Sequence, residues 1–277
     1  MRFKKVYLEI TNVCNLNCSF CHGSARAPRF LSPAEFSLLA GKLADYTEYL
    51  YFHLMGEPLL HPELGTLLSL AGDRGFKVNL TTNGVLLPEK SETLLAAPAL
   101  HRVNLSLQSW EANPPALPLE RYIGRCADFA RAAAARGVLV SLRLWNGGGA
   151  EARNEEILAL LHGAFPAQWQ TAQRNTVLSD RVFLEFGEKF DWPDPAAAES
   201  GACFCRGLRD QIGVLCDGRV VPCCLDAEGV LSLGDLFSRS LAEILASPRA
   251  KAIYEGFSRR EAVEDLCRRC GYAKKFS

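Results

Sequence analysis

Three cysteines crowd into eight residues near the start of this chain. Cys14, Cys18 and Cys21, in TNVCNLNCSFCHG, form a C-x3-C-x2-C array directly after the apolar run KVYLEI. Thiols at this spacing converge on a metal or cluster, and their number matters. Structural zinc closes a tetrahedron with four ligands. Three thiolates suit an iron–sulfur cluster in which one iron is left open to a cofactor or substrate. His22 abuts Cys21 and has poor reach to the same metal as a fourth ligand. Zinc held by the three thiols with a recruited partner is the competing reading.

The other cysteines support ligation over cross-linking. The chain has 11 cysteines in 277 residues, an odd count in a chain too large to need staples. The N-terminus MRFKKVYLEI has no long apolar segment of a signal peptide, and no apolar run reaches the ~20 residues of a membrane span. A soluble, cytoplasmic protein is expected. Thirty-one basic residues balance thirty-one acidic ones, so no net field favours nucleic acid or an anionic membrane, and neither is expected as a partner.

Six short β-rich runs, KVYLEI, YLYFHLM, FKVNLT, RVNLSL, VLVSLRLW and RVFLEF, alternate with helical patterns. Ser32, Pro33 and Glu35 open one helix with a capping box. PELGTLLSLAGDRG starts at Pro62 and stops at Gly75, and RYIGRCADFARAAAARG stops at Gly137. Repeated β/α units imply a parallel sheet with right-handed crossovers. Six strands are too few for a closed eight-stranded barrel. The expected fold is α/β: a partial (β/α)6 TIM-like barrel over 1–190, a linker at 191–202, and a small cysteine-rich β-hairpin and helix domain over 203–277. Asp217-Gly218 reads as a two-residue hairpin turn. The first cysteine array lies at a strand's C-terminal end, where such folds keep their chemistry.

These residues resemble the radical S-adenosylmethionine (radical SAM) enzymes, whose signature is C-x3-C-x-aromatic-C after the first strand. Phe20 supplies the aromatic. Gly56, Glu57 and Pro58 in MGEP match a GGEP-like motif, with Met55 in place of its first glycine. Asn83 in TTNG and Ser106 in NLSLQS match the third and fourth strand ends. The resemblance makes Phe20, Gly56, Glu57, Pro58, Asn83 and Ser106 candidate cofactor contacts. Arg143 and Asn146, in RLWN, are candidates for the cofactor's carboxylate and ribose. It implies a [4Fe-4S] cluster on Cys14, Cys18 and Cys21, S-adenosyl-L-methionine on its open iron, and reductive cleavage to a 5′-deoxyadenosyl radical. A one-electron donor of flavodoxin or ferredoxin type is the implied partner. His53 and His61 flank MGEP and read as ordinary polar residues near a pocket.

The tail resembles the SPASM and "twitch" extensions of that family, which carry auxiliary iron–sulfur clusters. It has Cys205, Cys223, Cys267 and Cys270, and the chain ends seven residues after the last. One auxiliary [4Fe-4S] cluster on these four is therefore expected, closed to substrate and able to accept an electron. Cys203, Cys216 and Cys224 are surplus; Cys224 could replace Cys223, because neighbours on a strand face opposite ways. Cys126 reads as a buried small apolar residue. The expected reaction oxidises or cross-links a substrate, with a peptide or protein side chain put ahead of a sugar or cofactor precursor. The chain starts at its first strand, without room for a peptide-leader domain, and ends AKKFS where the family's cyclase ends Gly-Gly. A zinc or iron–sulfur binding protein without enzymatic activity is the reading of another class. It leaves MGEP, TTNG and Ser106 unexplained.

Overall fold

The computed structural model describes residues 2–113, 117–149, 151–172 and 175–276. The six expected runs form strands β1 (Lys5–Leu8), β2 (Tyr49–Tyr51), β3 (Lys77–Thr82), β4 (Leu100–Ser106), β5 (Leu139–Gly147) and, after a short hairpin of β6 (Gln170–Ala172) and β7 (Asn175–Ser179), β8 (Val182–Glu188). These six lie parallel in the order β1-β2-β3-β4-β5-β8. Five helices follow the strands: α1 (Pro33–Leu43), α2 (Leu64–Asp73), α3 (Leu87–Leu95), α4 (Leu119–Ala135) and α5 (Asn154–Ala164).

A strict period of two decides how the sheet is used. Val6 and Leu8, Leu50 and Phe52, Val78 and Leu80, Val103 and Leu105, Val140 and Leu142, Val182 and Leu184 are buried in one core. The helices supply its other half, with Phe36, Leu39 and Leu43 from α1 and Leu64, Leu67 and Leu68 from α2. The alternate residues, Tyr51 and His53, Asn79 and Thr81, Asn104 and Ser106, Ser141 and Arg143, face the other way. A closed barrel packs its interior with branched apolar side chains. Here the concave face is polar and surrounds open space.

Local signals act as expected at α1. The Ser32 hydroxyl accepts from the Glu35 amide, and the Glu35 carboxylate accepts from the Ser32 amide at 2.9 Å. The second helix begins at Leu64, not Pro62, because Pro58–Leu60 takes a separate 3-10 turn first.

The sheet is wider than six strands. The β6–β7 hairpin adds two antiparallel strands at the β8 edge. At the other edge β9 (Gln211–Val214) pairs parallel with β1, followed by β10 (Arg219–Val221) and β11 (Gly234–Asp235). The tail hairpin is thus continuous with the barrel sheet. The hairpin's first arm was expected, but its parallel pairing with β1 joins segments far apart in the chain, which local pattern does not show. The hairpin turn also differs from expectation. Leu215 pairs with Arg219 through its amide, at 2.9 Å, which leaves three loop residues, Cys216, Asp217 and Gly218. Gly218, at φ +88°, makes this turn possible; a Cβ there would also meet Asp235 Oδ1 at 2.7 Å. Helices α6 (Leu241–Leu245), α7 (Pro248–Ser258) and α8 (Asp265–Arg268) complete the tail.

Gly56 is the glycine on which the strand ends most depend. It has φ +75°, and a Cβ there would strike Thr11 O and lie 2.9 Å from Val13 O. Gly56→Ala is expected to cost at least 1–3 kcal/mol by backbone strain alone, lowering the melting temperature by several degrees. Gly163→Ala, in open space within α5, is the control and should leave stability unchanged or raised. Calorimetric melting of both variants checks this, and equal midpoints would remove the close approach at Gly56 from the account.

Candidate active site

The loop after β1 is anchored by a buried carboxylate. Glu9 is completely buried, yet both oxygens are filled. Arg26 donates to it through both terminal nitrogens, at 2.6 and 2.8 Å. The Met55 amide donates at 3.2 Å and the Cys216 amide at 2.9 Å. Arg26 Nε reaches Ala227 O at 2.8 Å. One ion pair thereby joins the end of β1, the cysteine loop, the MGEP segment and the tail hairpin. The neck of the loop is tied by Thr11 to Arg29 O and by reciprocal bonds between Asn12 and the 27–29 backbone.

Above this neck the three thiols stand at the mouth of a cavity of about 470 Å³. Asn113 shapes the array from another element: its amide donates to Cys18 Sγ at 3.1 Å, and its oxygen accepts from Asn17 N at 3.0 Å. The Gly23 amide donates to Cys21 Sγ at 3.4 Å. Burial pushes the Cys14 thiol up to about 11, with further upward pressure from Glu57, and burial likewise raises Cys18. Thiols so placed ionise only when a cation supplies the compensating charge.

Among the expected cofactor residues, Phe20, Gly56, Glu57, Asn83 and Ser106 line this cavity with the three cysteines. Pro58 does not; it is buried at the start of the 3-10 turn. Arg143 and Asn146 are also elsewhere. Arg143 lies on an adjoining chamber and pairs with Glu185 at 3.1 Å, and Asn146 pairs with Asn154 of α5 at 2.9 Å. His22 packs beside Trp192, with ring centroids 5.8 Å apart, and is not a cavity residue. His61 is a structural residue, its Nε2 2.9 Å from Leu31 O and its Nδ1 accepting from Glu63 N.

Glu57 is a brace between strand ends. Its carboxylate accepts from Leu59 N at 2.9 Å, Thr82 Oγ1 at 2.7 Å and Asn83 N at 2.8 Å. Burial nevertheless raises its pKa to about 6, because those bonds only partly replace lost water. Asn83 continues the network, donating to Asn15 Oδ1 at 2.8 Å and so tying the third strand end to the cysteine loop.

In the tail, Cys205, Cys223, Cys267 and Cys270 line one tight cavity of about 30 Å³, walled by Leu231, Phe257 and Leu266. Burial, then mutual proximity, pushes Cys223 and Cys267 upward. Cys224 faces away, hydrogen-bonded to Tyr7 and lining the barrel chamber. Of the two adjacent thiols, Cys223 joins the tail array. Cys216 is buried under Arg26, Cys126 is buried beside Tyr122, and Cys203 lines neither cavity. Among the described residues no three His, Cys, Asp or Glu side chains converge as ligands of a single ion. Thiols gathered around a space are the donor set of an iron–sulfur cluster.

Three contributors escaped the sequence reading. Glu9 looked like an ordinary strand end, and Asn113 lay outside every motif. Trp192 sat in the supposed linker, yet its indole donates to Phe20 O at 2.9 Å. A charged residue ending an apolar strand was the one available signal, for Glu9.

Residues 8–139 match the model of the radical SAM superfamily, and residues 203–271 match that of an iron–sulfur cluster-binding domain, SPASM. A probable GTP 3′,8-cyclase of Methanocaldococcus jannaschii is 33% identical over 110 residues, 38% of this chain and 37% of that protein. One from Sulfurisphaera tokodaii is 40% identical over 105 residues, 37% of this chain and 33% of that protein. The chain thus spans about a third of the length of these curated relatives. The crystal structure of BtrN in complex with AdoMet and 2-DOIA superposes with a TM-score of 0.57 at 17% identity, covering 98% of this chain and 93% of that one. Native anSMEcpe with bound AdoMet gives 0.66 at 14% identity, covering 97% and 89%. The first family works with S-adenosylmethionine and a four-iron cluster, the second with auxiliary iron–sulfur clusters. Residues 8–139 of the chain thus belong to the radical SAM superfamily, and residues 203–271 to the SPASM iron–sulfur cluster-binding domains.

Proposed function

We propose that this enzyme binds S-adenosylmethionine in the 470 Å³ cavity, on a cluster held by Cys14, Cys18 and Cys21, and oxidises a small-molecule substrate beside it. One observation carries the reading: the three thiols of the C-x3-C-x2-C array line a single cavity together with Glu57, Asn83 and Ser106. When bound, cluster and cofactor supply a one-electron cleavage that starts hydrogen abstraction. The protein's part is to hold and exclude. Asn113 donates to Cys18 Sγ, which stabilises thiolate charge. Gly56 lets the second strand end approach the cysteine loop, and Glu57 locks that edge to the third. Phe20 and Trp192 cover the opening.

Cys205, Cys223, Cys267 and Cys270 hold one auxiliary cluster in this reading. Four protein thiolates leave it no open iron, so electron acceptance is its role. Of the two substrate classes raised by the sequence, the small molecule is favoured by an enclosed chamber behind the cofactor cavity. The relatives named GTP 3′,8-cyclase, which act on a nucleotide, support the same class. A peptide side chain long enough to enter that chamber is the alternative.

Replacing Cys14, Cys18 and Cys21 together with alanine should remove roughly four irons per chain and abolish 5′-deoxyadenosine formation from S-adenosylmethionine and dithionite. Iron counting and anaerobic product assay check this. Persistence of 5′-deoxyadenosine in that variant would sink the reading.

Cys267→Ala with Cys270→Ala should remove the tail cluster while 5′-deoxyadenosine still forms. If the folded double variant keeps its full iron content, these thiols are not cluster ligands.

Glu57 gives a pH signature. Its folded pKa is raised from 4.5 to about 6 by burial. Its contribution to stability is therefore full below about 4.5 and lost as pH rises through 6. That amounts to roughly 2 kcal/mol. Glu57→Gln should lack this pH dependence. Urea unfolding of both proteins at pH 4.5 and 7 reads it, and parallel profiles would place the raised proton elsewhere.

A further inference from the structure

Behind His53 the concave face of the sheet encloses a second chamber of about 170 Å³. His53 lines both this chamber and the cofactor cavity, so the two are neighbours across one side chain.

The charge of the chamber walls is unbalanced. Lys5 and Arg143 line the space, and Arg102 faces the same side of the sheet. Glu185 is the carboxylate that meets them, shared between Arg102 at 3.5 Å and Arg143 at 3.1 Å, and also accepting from Ser141 at 2.7 Å. Lys275 adds a further cation over the Phe190 and Tyr272 rings at the chamber's edge. His53 contributes no charge: burial, then Arg143 and Lys5, push its pKa down to about 3.

The walls also hold hydrogen-bonding capacity that the protein does not use. Arg143 spends Nε on Glu185, and among the described residues neither terminal nitrogen has a hydrogen-bond partner. Its guanidinium carbon lies over the Trp145 ring, 4.4 Å from the centroid, a contact that restricts where the fork can turn. Asn104, only 1% exposed, lines the chamber with an unpartnered side-chain oxygen. His53 Nδ1, on the same wall, is likewise buried without a partner among the described residues, as is Asn79 Nδ2 on β3, which does not line the chamber. Buried groups of this kind are normally satisfied, and several together mark a place where a ligand completes them.

We infer that the chamber is the substrate site and that it takes a small organic anion, a carboxylate or phosphate ester. Its charge is received by the Arg143 terminal nitrogens with Lys5, and its body lies against Trp145. Water's share of liquid volume is about 30 Å³, so the chamber of about 170 Å³ holds between five and six such shares, room for a small organic molecule. This moves Arg143 from the cofactor's carboxylate, expected from sequence, to the substrate's. The inference rests on the functional reading only in calling the ligand a substrate.

The test uses anaerobically reconstituted enzyme with benzoate, phenyl phosphate and neutral benzyl alcohol as probes, in calorimetric titrations with and without S-adenosylmethionine. At least one anionic probe should bind about tenfold or more tighter than benzyl alcohol, as a charge-assisted contact requires. Whichever of benzoate and phenyl phosphate binds tighter identifies the substrate's anion. Arg143→Gln should erase the preference while changing S-adenosylmethionine affinity less than twofold. Because Arg143→Gln strands Glu185, the pair Arg143→Gln with Glu185→Gln is measured too. Lys5→Gln, at an exposed position, should weaken anion binding in a protein that folds normally. Equal binding of charged and neutral probes overturns the inference, as does an anion preference that survives all three variants. Loss of S-adenosylmethionine binding in Arg143→Gln also overturns it, returning that residue to the cofactor. Anion binding in an enzyme that never forms 5′-deoxyadenosine would sink the functional reading and leave this one standing.

Discussion

The Glu9–Arg26 pair is the constraint on which the arrangement of both cysteine sites depends. A carboxylate with no solvent contact is tolerable only when its oxygens are filled. Here they are filled from three directions, by Arg26, by Met55 N and by Cys216 N. Removing one partner of such a pair typically costs about 3–5 kcal/mol, because the other charge is left buried. The cysteine loop, the MGEP edge and the tail hairpin therefore cannot shift independently. The loop that carries three thiols has little regular structure of its own, and this pair gives it a fixed origin.

The second organising fact is the parity of the strands. Alternate residues of each strand, from Val6 in β1 to Val182 in β8, build the core against the helices, and those between them face the concavity. A packed barrel would make that face apolar. In this protein it carries asparagines, arginines, a histidine and tyrosines, so the concave side needs water or a ligand. The tail closes the space with Tyr272 and Leu225. A fold that could have been a sealed scaffold becomes a container next to the cofactor cavity.

A tight change of direction matters at the tail. Cys223 and Cys224 follow the end of β10 in a bend and turn, and the two neighbours line different cavities. Cys223 turns to Cys205, Cys267 and Cys270, while Cys224 meets the Tyr7 hydroxyl inside the barrel. The proposed auxiliary cluster thus lies one residue away from the chamber wall. That closeness suits electron exchange without requiring substrate to touch the cluster.

Much of this was legible in the residues themselves. The thiol spacing, the capping box at Ser32, the six strands and the strand-end motifs are local, and local spacing survives folding. The Asp217-Gly218 turn signal between β-rich arms also assigned the tail hairpin, though its loop is one residue longer than that pair. Other features belong to the tertiary structure alone. Glu9 and Cys216 are 207 residues apart, and Trp192 and Phe20 172 apart. Arg143 was placed by motif at the cofactor, but its strand position beside Glu185 directs it into the adjoining chamber. Sequence determined which chemistry the chain could hold, because ligand type and spacing are written residue by residue. The fold decided which charged groups share a cavity, because that depends on strand register and on contacts between segments far apart in the chain.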